Sequence, residues 1–123
     1  MITLSLMFWF AVKHFLCDFP LQANPYMYKN KGIYCHPGGL LHAQVHAIGT
    51  FLVLIPFTTA HNAVFFAGVD MVLHYNIDYA KVRLCQHWSL KPDNSEWYWI
   101  LLGLDQLLHT LTYLGIIYWI VWS

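Results

Sequence analysis

Apolar residues in this chain gather into four stretches, at about residues 2–19, 39–57, 62–83 and 97–122, separated by polar or proline-containing breaks. Each approaches the ~20 residues that a helix needs to cross the hydrocarbon core of a bilayer. Pro20 ends the first stretch, because proline lacks an N–H and clashes with the preceding turn. Pro56 lies near the exit of the second, Asn62 is placed to cap the third, and Asp93 and Glu96 stand at capping-box spacing before the fourth. The pattern predicts an all-α integral membrane protein: one four-transmembrane-helix up-down bundle over residues 1–123. A tight turn at 58–61 joins the middle pair, and the longer loop at 20–38 holds one short interfacial helix around 21–31. The first stretch has neither a basic leader nor a small-x-small cleavage site, so it reads as a retained span.

Composition supports lipid as the solvent. Apolar residues make up 59% of the chain and charged residues 10%, with a mean hydropathy of +0.47, against roughly 45–50% and 25% in an ordinary soluble domain. The formal net charge of zero leaves no broad basic face for nucleic acid. The three cysteines, Cys17, Cys35 and Cys85, form no CxxC pair and suggest no disulfide framework. Lys29, Lys31 and Lys91 fall in the 20–38 and 84–96 loops, and Lys13, Lys81 and Arg83 lie at adjoining span ends. The positive-inside rule then places those loops in the cytoplasm and both termini outside.

The candidate chemistry sits within the apolar stretches. Each carries ionisable residues four apart, which puts them on one helix face: His14 and Asp18, His42 and His46, Asp70 with His74 and Asp78, and Asp105 and His109. In an up-down arrangement His14, His46, His74, Asp78 and Asp105 all fall within one to two turns of the same end. Asp70 is deeper, which makes it the weakest member. An aspartate at the centre of a spanning helix costs about 2.5–3.5 kcal/mol on insertion scales, so histidine partners, protons or a cation must offset the burial. Imidazole with carboxylate suits zinc first, as one or two divalent ions, with iron or manganese as alternatives. The metal candidates are His14, Asp18, His42, His46, His74, Asp78, Asp105 and His109. Cys35-His36 and Cys85 with His87 match no zinc spacing, and Cys17 reads as a packing thiol. Gln22, four after Asp18, is within reach of the same cavity.

These residues resemble a family of small phage and bacterial inner-membrane proteins of unknown function, with HxxxDxxLQ, paired histidines, HxxxDxxK and DQxxH in order. The matching stretches are His14 to Gln22, His42 to His46, His74 to Lys81 and Asp105 to His109. Asp70 lies outside that pattern. The motif style is similar to that of membrane-bound metal-dependent hydrolases acting on lipids, and loosely to ceramidase-type membrane hydrolases.

The expectation is therefore a metal-dependent hydrolase of a lipid or lipid-linked phosphate, working from the cytoplasmic side. Asp105 or Asp18 is the expected general base or ligand of a second ion. His109 orients Asp105, and Lys81 holds the substrate's anionic group. Membrane lipid is then both environment and substrate, and a homo-oligomer is permitted. The alternatives are a non-enzymatic metal-stabilised protein, such as a phage product modifying the host envelope, and a metal or proton conduit.

Overall fold

In a computed structural model describing residues 1–123, the chain is all-α, with five helices and a 3-10 turn. The helices are α1 (Ile2–Asp18), α2 (Pro25–Tyr28), α3 (Pro37–Leu54), α4 (Ala60–His87) and α5 (Glu96–Trp122), and the turn is Leu21–Ala23. The four long helices pack in a ring, α1 on α3, α3 on α4, α4 on α5 and α5 back on α1; α3 and α4 share the largest interface. The short α2 lies against α3.

The four-transmembrane-helix reading is overturned. Only two helical segments, Ile2–Ala23 and Glu96–Trp122, are long and apolar enough to cross a membrane. Helix α3 opens on Pro37-Gly38-Gly39 and spends His42, Gln44, His46 and Thr50 on polar positions. Helix α4 is diluted by Asp70, His74, Asn76, Asp78, Lys81 and Arg83. Two caps also differ from expectation. Thr59, not Asn62, caps α4, its side chain accepting from the Asn62 N–H, and α4 runs on to His87. Ser95 caps α5 by accepting from the Trp97 N–H, so Asp93 and Glu96 form no capping box. A hydroxyl needs only to reach the second or third N–H of its helix, and both serve this role at shorter range.

The interior is divided along the ring axis. At the end holding both termini, Leu6, Phe10, Leu54, Phe66, Ile116 and Ile117 form an apolar plug. Beneath it, Lys13 and Asp70 form a buried ion pair at 2.6 Å, their side chains only 4% and 1% exposed. Lys13 also donates to the Tyr113 hydroxyl at 3.2 Å, and the Thr50 hydroxyl donates to Asp70. Although Lys13 lies at a span end in the sequence, its ammonium turns inward, and its stem crosses Gly49, where any Cβ would lie 2.8 Å from the Lys13 Cγ. Below this pair is the histidine-rich half.

Outward, every long helix presents large apolar side chains: Phe8 and Trp9 on α1, Ile48 and Leu52 on α3, Phe65 and Val72 on α4, Leu107 and Tyr118 on α5. Patches of this extent mark surfaces meant for lipid or protein.

Removing one partner of a buried ion pair strands the other charge, typically at a cost of about 3–5 kcal/mol. Lys13→Met is expected to lose that much in denaturant titration of the detergent-solubilised chain. Lys13→Met combined with Asp70→Leu should regain most of the loss. A loss under about 1 kcal/mol for the single substitution would show that the pair does not brace the bundle.

A candidate metal centre

Four helices deliver their polar faces to one place. Asp18 stands at the last turn of α1, His42 and His46 one turn apart on α3, His74 and Asp78 one turn apart on α4, and Asp105 and His109 one turn apart on α5. Because i and i+4 share a helix face, each pair enters the interior together. The Asp18 Oδ1 lies 3.0 Å from the His46 Nε2, 3.3 Å from the His42 Nε2 and 3.8 Å from the His74 Nε2. The Asp78 Oδ2 lies 3.3 and 3.4 Å from the His42 and His74 Nε2 atoms, which are themselves 3.1 Å apart. Donor atoms bonded to a tetrahedral zinc at about 2.0–2.1 Å are about 3.3 Å from one another. The observed spacings bracket that edge. Two sets of donors gather closely enough to hold an ion: Asp18, His42, His46 and His74, and His74, Asp78 and His109.

Counting protons tests whether a cation suits these residues. The His109 Nδ1 lies 2.8 Å from the carbonyl oxygen of Asp105, an acceptor only, so Nδ1 carries the proton and donates it. In a neutral ring this leaves the His109 Nε2 as a lone pair, buried and without a hydrogen-bond partner. It faces the Asp78 Oδ1 at 3.7 Å, acceptor against acceptor. A metal ion satisfies both, and a ring anchored through its other nitrogen is how metal-ligating histidines are usually held. The Nδ1 atoms of His42, His46 and His74 have no partner and lack that anchor. Charge gives the same answer. Of the carboxylates of Asp18, Asp70, Asp78 and Asp105, that of Asp70 is paired with Lys13 and that of Asp78 with Lys31 at 2.6 Å. Asp18 and Asp105 are left without a lysine partner, and a bound cation would offset carboxylate charge buried there.

The neighbours divide into those that join the cluster and those that hold it. His14 sits beside the cluster with both nitrogens engaged. The Tyr113 hydroxyl is 3.0 Å from its Nδ1, and its Nε2 is 2.9 Å from both the Gln106 Oε1 and the Asp18 Oδ2. It is thereby placed to orient Asp18. Gln106 ties His14 to α5, because its amide nitrogen donates to the Asp105 Oδ2 at 3.1 Å. The Asp105 Oδ1 is buried without a hydrogen-bond partner, and 3.8 Å separates it from the His109 Nδ1. Lys81 lies outside the cluster, with its ammonium 5.8 Å from the centre of the Tyr98 ring. Asp70 belongs to the Lys13 pair. Gln22 donates to the Asp18 carbonyl, His36 caps α3 by accepting from the Gly38 N–H, and the Cys17 thiol faces the Val45 carbonyl.

Lys31 is the residue that sequence reasoning missed. It lies 47 positions from Asp78, and no helical spacing links the two. The signal available was the neighbouring Gly32, where a Cβ would meet the Val82 and Gln86 side chains at 2.8 Å. A side chain at Gly32 would have to displace Val82 and Gln86, so glycine allows the loop to lie this close to α4.

Fold and site together define an all-α protein with two helices of membrane-crossing length and apolarity and a buried His/Asp cluster able to hold a metal ion. The chain belongs to the family described as "Protein of unknown function (DUF3307)", whose model matches residues 6–123. No curated protein and no solved structure matches the chain.

Zinc added to chelator-stripped protein is expected to raise its thermal midpoint, and His74→Ala, common to both donor sets, should abolish that rise. His14→Ala, which removes only the partner orienting Asp18, should weaken binding about 10–100-fold. An unchanged midpoint in the parent protein, with no metal found by elemental analysis, sinks the metal centre.

Proposed function

We propose that this protein is a membrane-anchored metal-dependent hydrolase of a lipid or lipid-linked phosphate, with zinc as its ion. Helices α1 and α5 cross the bilayer with both termini on one side. The lysine-bearing loops then face the cytoplasm by the positive-inside rule. The bacterial inner membrane is the location this implies.

The observation that carries the reading is the incomplete donor set His74, Asp78 and His109 beside the unpartnered oxygen of Asp105. Structural zinc sites close all four positions with protein, whereas catalytic sites keep three protein ligands and leave one position open. A divalent ion held there supplies Lewis acidity toward a phosphoryl or carbonyl oxygen. Asp105 serves as general base: its free oxygen accepts a proton from the attacking water. As water oxygen bonds to phosphorus, the phosphorus–oxygen ester bond breaks, and Asp105 returns the proton to the departing alkoxide. Gln106, donating to the other Asp105 oxygen, helps hold Asp105 in place, and His14 keeps Asp18 turned toward His42 and His46.

One observation favours a second reading. Asp18, His42, His46 and His74 supply four donors and form a closed set of the structural kind, which suits a metal-stabilised, non-enzymatic protein such as a phage product acting on the host envelope. A conduit is less well supported, since the plug of Leu6, Phe10, Leu54 and Phe66 offers no polar step beyond Asp70 and Thr50.

The test is turnover of radiolabelled bacterial lipid extract by the purified chain in mixed micelles. Chelator should stop product formation, and Asp105→Asn should slow it about 10²–10⁴-fold, the usual share of a general base, while metal content stays at the parent level. Products that persist in chelator would reject this mechanism. Metal bound in full with no lipid consumed would favour the non-enzymatic reading.

A further inference from the structure

Three cavities meet on the outer seam of α4 and α5. One, of ≈ 350 Å³, lies where α4 gives way to the following loop, and its polar wall is Lys81, Gln86, Ser89, Lys91 and Tyr98. A second, of ≈ 280 Å³, runs along the seam past Leu73, Ile77, Ala80, Leu104 and Leu108 and has Asp105 in its wall. A third, of ≈ 570 Å³, is wholly apolar, lined by Leu84, Trp88, Leu90, Trp97 and Leu101. They are contiguous: Lys81 borders the first and second, Leu84 and Leu101 the second and third, and Leu90 the first and third.

Charge separates this seam from the other apolar grooves of the ring. Lys81 and Lys91 share the first cavity, and no carboxylate lies within 4.0 Å of either ammonium. Asp93, in the same loop, and Glu96, at the start of α5, form no part of its wall. The groove between α1 and α3 is of similar size, ≈ 370 Å³, but its one charged side chain, Lys13, is already neutralised by Asp70. A site with two unpaired ammonium groups at one end and aliphatic walls along the rest has the polarity of an anionic amphiphile. The exposed indoles of Trp88 and Trp97 flank it, as indoles do where headgroup meets hydrocarbon.

We infer that the α4–α5 seam binds one anionic glycerophospholipid, its phosphate between Lys81 and Lys91 and an acyl chain along Leu73, Ile77, Ala80 and Leu104. The inference goes beyond the hydrolase reading: it concerns lipid held on the outer seam, where Asp105 is the one cluster residue in the wall. Binding itself requires no turnover, so the two stand or fall separately.

The experiment is equilibrium binding of radiolabelled dioleoyl phosphatidylglycerol to the full chain in mixed micelles, against dioleoyl phosphatidylcholine, with zinc content measured on the same samples. The expected result is saturation near one phosphatidylglycerol per chain, with a clear preference over phosphatidylcholine. Lys81→Gln and Lys91→Gln should each weaken that preference about fivefold, the usual effect of one lysine near an anionic headgroup. Ala80→Trp, which fills the seam, should lower binding of both lipids. Both lysine variants are at the surface and should fold and keep their zinc. Preference unchanged in the Lys81→Gln/Lys91→Gln double variant overturns the inference. Displacement of the labelled lipid by an equal concentration of glycerol 3-phosphate also overturns it, because the site would then recognise a soluble phosphate ester. Lysine-dependent lipid binding by protein that hydrolyses nothing would uphold the seam and remove the hydrolase.

Discussion

Acceptor facing acceptor in a dry interior is the condition around which this protein is built. The His109 Nε2 and the Asp78 Oδ1 face each other at 3.7 Å, and in the neutral ring the one proton is on Nδ1, donated in a hydrogen bond to the Asp105 carbonyl. A buried acceptor left without a donor costs about 1–3 kcal/mol. A bound cation would resolve this contact, and it would lie near the Asp18 and Asp105 carboxylates, which neither Lys13 nor Lys31 pairs. Helix order, loop placement and the position of the glycines can all be read as means of gathering those donors.

The surrounding residues divide the labour. Lys13, Asp70, Thr50 and Tyr113 form a fully buried polar layer between the apolar plug and the cluster, so the cluster has a floor of fixed charge on that side. Tyr113 continues into His14, and His14 into Asp18, so the layer and the cluster form one connected network. Networks of this kind hold side chains in single rotamers when every member is satisfied. Among the members left unsatisfied are His109 and Asp105, the two that the proposed ion and water would engage.

Outside this network the ring is apolar, and only 24 of its 123 residues are buried. A protein that keeps charges inside and large aliphatic and aromatic side chains outside is inverted relative to a water-soluble domain. Two helices carry enough of that character over enough length to cross a bilayer by themselves. In α3 and α4 the outward faces are also apolar, but the polar residues turned inward to make the site lower the hydropathy of the whole helix.

Much of this was legible in the chain itself. Helical class, the paired positions four apart on each long segment, and the depth that set Asp70 aside follow from periodicity and from the cost of burying charge, which are local properties. The number of membrane-crossing helices was not legible, since apolar stretches in α3 and α4 look like spans until their polar residues are counted within helices of known length. Nor were the non-local pairings: Lys31 with Asp78, Lys13 with Asp70, and His14 as a partner of Gln106 instead of a free ligand. Those depend on which helix faces which across the ring and on glycines that let one backbone lie against another. Spacing along the chain decides which residues share a helix face. Only packing decides what that face meets.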